Sequence, residues 1–395
     1  MKKFFSSLKN EFISKWREIT VLLLVNFFEL FALSSVLMMM ETVWVIVISA
    51  LFLMPALGLI IWCIKDNNID KQDIKILFLF IGLSILFGII KSYLYVISLF
   101  IAFLFYKDRK QMYKWLFIVS SFSLILFIIL ALLRVMPDTP MLRYDDMWVD
   151  VTNIRHTFGF NHPNHILKYV LATSVFGYMY LGDNKLHTFI FSIVMLLLTL
   201  WLGWLTNCRT GMLVLSVTYL LMNLPFLVNW FKPKRLIFVF ILMSFVMVAF
   251  MNVPVINHEL SGRPYWFNFF FERFSEYVIV GKYYLVTLIK NFSVESYVAY
   301  PLDNDFLMTI FDGGLIALLV ITYFYYVAFE KTTDKKLTVV IIGMFTYALT
   351  EAFELSFNYP IYIIMFVELV NRYMEDKENI KLFKPKTKKE EAPSK

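Results

Sequence analysis

Cysteine is nearly missing from this chain: Cys63 and Cys208 are the only two in 395 residues. Both fall in or beside apolar segments, so they make neither a disulfide framework nor a metal-ligand spacing. Histidine is also scarce, at five residues. No HExxH or comparable ligand set occurs, so no metal and no cofactor is expected. Charge is thin, at 17% of residues. The net charge of +7 therefore carries no nucleic-acid signal until its location is known. No internal repeat is visible. No small-residue cleavage site follows the first apolar run. The basic, polar stretch from Met1 to Thr20 therefore leads into a first transmembrane helix rather than a removed signal peptide.

Apolar surface is what the chain has in excess. The hydrophobic fraction is 59% and the mean hydropathy +0.68, against about 45–50% apolar for a soluble domain. Phe (42), Tyr (22) and Trp (9) are abundant, which suits lipid-facing and interfacial positions. A soluble core could not hide this surplus. The expected fold is all-α, a polytopic integral membrane protein. A spanning helix needs about 20 mostly apolar residues. Runs of that kind lie at 20–40, 43–64, 115–134, 166–182, 188–206, 211–229, 235–253, 306–328, 337–355 and 359–373. The stretch 74–106 splits at Lys91-Ser92 into two short spans, 74–90 and 93–106, giving about 12 transmembrane helices.

Positive-inside counting tests this layout. With both termini cytoplasmic, the inside segments hold 27 of the 37 lysines and arginines. The net charge thus reports topology first. Residues 1–373 read as a single membrane domain and 374–395 as a short basic cytoplasmic tail. Two outer-face loops, 135–164 and 254–305, are much longer than any inside loop. Long loops in a compact protein are usually functional, so function is expected at the outer face.

Four outer segments carry polar groups that break the charge rule. One runs Arg155-His156-Thr157-Phe158-Gly159-Phe160-Asn161-His162-Pro163-Asn164, with Lys168 one helical turn further. Another is the tight turn Asn207-Cys208-Arg209-Thr210-Gly211. A third is Ser261-Gly262-Arg263-Pro264 with Trp266 and its aromatic neighbours to Phe271. The last is Asp303-Asn304-Asp305, which opens a span. A single Arg at the membrane edge is ordinarily a snorkelling residue. Three arginines in three outer segments weaken that reading. Ser261 and Pro264 fit the cap and first position of a helix to about Phe274, which would stand Arg263 beside free N–H groups. The alternative is a capped interfacial helix. Asp303 reads equally as a cap at a helix start, a place Asn304 could also fill, or as chemistry. Asp305, Thr309 and Asp312 share one helix face. His156, His162 and His165 cluster without ligand partners.

Together these segments resemble the Wzy-type polysaccharide polymerase and O-antigen ligase superfamily. The matching residues are R-x-x-F-G-F-x-H-P-N at 155–164, C-R-T-G at 208–211, S-G-R plus Trp at 261–266, and D-N-D-F-L followed by Gly-Gly-Leu-Ile at 303–316. The likeness covers most of the chain from Arg155 onward. It implies a GT-C-like, membrane-embedded glycosyltransferase on the outer side of the bacterial cytoplasmic membrane. Such enzymes move a glycan from an undecaprenyl-diphosphate carrier and need neither nucleotide sugar nor metal. Relatives usually have Ser before the turn arginine, where this chain has Cys208. The ligase branch tends to carry His before the Asn, where this chain has Asp303, which favours the polymerase branch.

On that reading Arg155, Arg209 and Arg263 bind the substrate diphosphate, because guanidinium forks replace a metal at a departing diphosphate. Asp303 is the first candidate base, His162 the second, with Asp305 behind them. Asn164, Lys168, Trp266 and Asn304 would line the substrate or acceptor site. The expected partners are lipid-linked oligosaccharide repeat units, the bilayer, a chain-length regulator and a flippase, with no nucleic acid. A ligase and a lipid-linked oligosaccharide transporter are the alternatives. Transporters more often show repeated halves and broken helices, and the sequence shows neither.

Overall fold

A computed structural model describes residues 10–32, 42–66, 108–136, 141–145, 148–160, 162–250, 274–279, 304–350 and 360–382, with single positions between them. The expected short spans 74–90 and 93–106 lie almost wholly outside the described residues, as does most of the loop 254–305.

Ten long helices are described. They are α1 (Trp16–Ala32), α2 (Thr42–Asp66), α3 (Arg109–Leu132), α4 (Pro163–Leu181), α5 (Lys185–Thr206), α6 (Arg209–Asn223), α7 (Pro233–Ala249), α8 (Asp305–Phe329), α9 (Lys335–Ala348) and α10 (Pro360–Leu382). Each overlaps one of the predicted apolar runs. The ends differ where local chemistry decides them. The run 211–229 stops as α-helix at Asn223, because Pro225 opens a separate 3-10 turn, Pro225–Val228. By length and composition, α3 (24 residues) and α5 (22 residues) are apolar enough to cross a bilayer.

The fold is not purely α. Met141–Asp145 (β1) and Trp148–Arg155 (β2) pair antiparallel inside the first long loop. Met141 faces Arg155 and Asp145 faces Trp148, with an irregularity between Leu142 and Arg143. The described residues are nonetheless mostly helical, as expected, and this short hairpin is the exception. A two-residue connection and the strand formers Trp148, Val149, Val151 and Ile154 give the loop its hairpin.

Helix α4 is the hub. It packs on α3, α5, α6, α9 and α10, and nearly every side chain from Pro163 to Met179 is buried. Polar side chains stitch it to its neighbours. Tyr169 donates to Asn26 of α1. Tyr219 of α6 meets Ser174 of α4 at 2.8 Å and Thr199 of α5 at 3.0 Å. Helix α5 has an inverted pattern. Its buried face mixes Thr188, Ser192, Thr199 and Thr206 with Phe191, Met195 and Leu202, whereas Phe189, Ile193, Leu197, Leu200 and Trp204 are exposed. A helix in water would be arranged the other way round.

Helix α8 is broken. Gly314 has φ 73°, ψ −179°, so the α-helical ladder cannot pass through it. The freed amides of Leu315 and Ile316 donate to the carbonyls of Val278 and Ile279, at 2.7 and 3.4 Å. The short turn Phe274–Tyr277 just before those carbonyls packs on the first half of α8, with Tyr277 against Phe311 at 5.0 Å. The sequence expectation of unbroken helices is therefore wrong at the Gly313-Gly314 pair. Phe267, from the aromatic run, is fully buried beside Leu307 and Ile310, so it covers protein rather than sugar or lipid.

The two ends of the bundle are chemically distinct. At one end the starts of α3 and α9 and the α4–α5 turn are joined by charge: Lys110 and Lys336 both bind Asp183. Arg109 pairs with Glu368 and Arg372 with Glu330 there. At the other end the 155–162 loop, the α5–α6 turn, the end of α9 and the start of α8 meet.

Candidate functional site

The second of these ends holds most of the residues singled out in the sequence. Its foundation is the segment 155–164. Arg155, the last residue of β2, donates from Nε to the Thr206 carbonyl (3.0 Å) and from Nη2 to Asn164 Oδ1 (2.6 Å). The His156 amide adds a bond to the Leu205 carbonyl. One guanidinium thus joins the hairpin, the start of α4 and the end of α5. Arg155 is held by protein, which gives it a positioning role beyond the diphosphate contact expected from sequence.

The chain then turns sharply. Phe158 and Gly159 have φ of 50° and 80°, and the turn buries Phe158 and Phe160. Phe160 packs on Phe127 of α3, at 4.4 Å between centroids. Gly159 is required twice over. Its φ disfavours a side chain, and a Cβ there would lie 2.9 Å from Met136 Cβ.

His162 is the N-cap of α4. Its Nδ1 accepts from the Asn164 amide at 3.2 Å, and Pro163 fills the first helical position. His165 stands 5.6 Å from it, ring to ring. Asn164 is buried and Lys168 half-buried one turn further along. His162 thus has a structural role as a helix cap through one of its ring nitrogens.

Arg209 sits where the sequence placed it, on a tight turn. Asn207 caps α5 in the left-handed conformation, Cys208 caps α6, and Arg209 opens α6 with its side chain exposed. It has no hydrogen-bond or ion-pair partner among the described residues. The turn is packed tightly from behind. A Cβ on Gly211 would lie 2.9 Å from the Tyr347 hydroxyl and 2.8 Å from Leu167 Cδ1. Tyr347 belongs to α9, two residues before Leu349.

Leu349 carries the connection to α8. Its carbonyl accepts from Asn304 Nδ2 at 3.2 Å, and Ser244 Oγ of α7 lies at 3.2 Å from the same nitrogen. Asn304 Oδ1 accepts the amides of Phe306 and Leu307. Asn304 is fully buried, so it serves as cap and tie, and the cap alternative is the observed one. Asp305 is also buried; the Tyr362 hydroxyl of α10 lies 3.5 Å from its carboxylate. Arg263, Trp266 and Asp303 lie outside the described residues.

One pair at this end was missed. His156 Nδ1 lies 2.6 Å from Asp138 Oδ2. The other Asp138 oxygen accepts the Thr157 amide (2.7 Å), the Thr157 hydroxyl (3.1 Å) and the Phe158 amide (3.3 Å). Burial alone would raise the Asp138 carboxyl. The hydrogen bonds from His156 and Thr157 outweigh it and hold the group below its ordinary range. A carboxylate on Nδ1 orients an imidazole so that Nε2 can take a proton. No local spacing links positions 138 and 156; the only sequence signal was the cluster of histidines.

This end therefore offers an exposed arginine at a helix start, an oriented histidine and two buried carboxamides, Asn164 and Asn304. That set can hold an anion and move a proton. No protein-family model matches the chain, and neither curated proteins nor solved structures yield a match.

Proposed function

We propose that the protein is a Wzy-type polysaccharide polymerase. It transfers a growing glycan from undecaprenyl diphosphate onto a lipid-linked repeat unit at the outer face of a bacterial cytoplasmic membrane. In this reading the chain crosses the bilayer about a dozen times in a GT-C-like arrangement, with both termini cytoplasmic. The inverted face of α5 meets lipid, and the lysine-rich end faces the cytoplasm. The observation that carries the proposal is the joint made by Arg155. It ties the 155–164 block to Thr206 at the end of α5, two residues before the 208–211 turn, a second of the four resembling segments, whose Arg209 is exposed.

The chemistry follows from the side chains. Arg209, at the positive end of α6, stabilises negative charge growing on the departing diphosphate. Arg263 is the expected second contact. The acceptor hydroxyl needs a base: the His156–Asp138 pair is the described group with the right geometry, alongside Asp303 and His162. Direct displacement inverts the anomeric centre. The test is the surface glycan of cells carrying Arg209→Lys or Arg263→Lys. Polymer should shorten or vanish in both, because an ammonium cannot reproduce the guanidinium fork. Unchanged polymer length and amount in both would sink the clamp.

A second reading, a transporter of lipid-linked oligosaccharides, is favoured by one observation, the break in α8 at Gly314. Deletion separates the two. Loss of a polymerase leaves single repeat units on the acceptor, whereas loss of a transporter removes the outer glycan altogether. A ligase would instead leave finished polymer on its lipid carrier.

A further inference from the structure

The opposite end of the bundle contains a cavity of about 540 Å³, within the usual range of small-ligand sites, about 300–1,000 Å³. We propose that it binds a phosphate group, independently of the arginine site. Five lysines and arginines line it against three carboxylates. The carboxylates are already committed. Asp183 accepts from Lys110 and Lys336, Glu368 accepts from Arg109, and Asp334 caps α9 through the Lys336 amide. The lysines are not used up. An ammonium has three donors, and Lys110 and Lys336 each give one to Asp183.

The wall of the cavity supplies a second, separate observation. Tyr113 and Asn371 are among its lining residues, and the Tyr113 hydroxyl and Asn371 Nδ2 lie buried just behind its wall with no hydrogen-bond partner among the described residues. Tyr113 is only 3% exposed. Buried polar atoms are seldom left without partners. These two can donate, and they approach from α3 and α10 while the lysines approach from α3 and α9. A ligand that satisfies all of them needs several acceptor oxygens on one small centre and a negative charge. A phosphate has both. The same chemistry is offered by a soluble phosphomonoester and by the headgroup of an anionic phospholipid.

The experiment uses the full-length protein in detergent micelles. Thermal unfolding is followed against glycerol 1-phosphate and, separately, against phosphatidylglycerol in mixed micelles, each with sodium chloride at matched ionic strength. Saturable protection is expected from at least one probe. Protection by glycerol 1-phosphate identifies a soluble phosphate as sufficient; protection by phosphatidylglycerol alone identifies the lipid headgroup. Tyr113→Phe should weaken the apparent affinity roughly tenfold to hundredfold, the size of one lost hydrogen bond to a charged group. It should not lower the ligand-free midpoint, since the hydroxyl it removes has no partner among the described residues. Lys336→Gln should weaken binding similarly, and Arg209→Gln should leave it intact. No protection beyond that of chloride overturns the proposal, as water alone would then fill the cavity. Unchanged affinity in Tyr113→Phe, or equal loss in Arg209→Gln, overturns it as well.

Discussion

Phe158 and Gly159 hold left-handed conformations side by side, and they aim Phe160 at α3 while leaving Arg155 and His156 free to grip the end of α5. An L-residue in that conformation costs about 1–2 kcal/mol, and at position 159 the added methyl also meets Met136. Gly159→Ala should therefore destabilise the protein by at least about 1–2 kcal/mol, read as a lower thermal midpoint of the purified protein. If the protein is the polymerase proposed above, glycan synthesis should fall with it, since Arg155 and His156 hang from this turn. The turn was legible in the sequence as an F-G-F block but its reason was not. Nothing in residues 155–164 announces Met136 or Asp138, which reach the site from the far side of the hairpin. Residue-level chemistry such as Arg209 at a helix start could be read from spacing; contacts across nineteen positions could not.

Asn304 illustrates the same limit for an element. As a helix cap it is visible in the order Asp303-Asn304-Asp305 before an apolar run. Its second job, joining Ser244 of α7 and the end of α9, depends on how three helices converge. The two jobs are separable by substitution. Asn304→Ala loses both the cap and the tie, and leaves the Leu349 carbonyl without its donor. The combined loss is about 2–4 kcal/mol. Asn304→Asp keeps an equally good cap yet cannot donate, and it sets a carboxylate against a carbonyl. It should be no more stable than the alanine variant, as measured by the unfolding midpoint. If Asp instead restores wild-type stability, the cap is the whole of its contribution. Elements as a class were easier to foresee than their joints. Apolar runs of spanning length overlap all ten long helices, because an apolar run of that length has few other ways to satisfy its backbone. The hairpin and the break at Gly314 escaped, since both are set by backbone pairing between segments rather than by hydropathy.

For the molecule as a whole, each end is fastened by a carboxylate held ionised by its neighbours. Asp183 is held at about 2 by its hydrogen bonds from Lys110 and Lys336, against an ordinary 3.8. A carboxyl lowered on folding stabilises above its unfolded value and loses that contribution as pH falls through the folded one. The loss should thus fall between about pH 4 and pH 2. Asp183 is half-exposed, so the amount is small, about 1 kcal/mol or less. Asp183→Asn should lower the thermal midpoint slightly at neutral pH and flatten its decline between those limits. A midpoint that declines equally in variant and wild type would place the acid sensitivity elsewhere, for example at Asp138, whose carboxyl is lowered too. The broken helix has a different consequence for the whole. The amides of Leu315 and Ile316 answer to Val278 and Ile279, not to the turn before them, so α8 is one helix in chain order but two units of local opening. The half that begins at Asn304 answers to Ser244, Leu349 and Tyr362, and the half from Leu315 to Phe329 to Val278, Ile279 and Pro233, so a change in one set of partners need not be felt along the whole of α8.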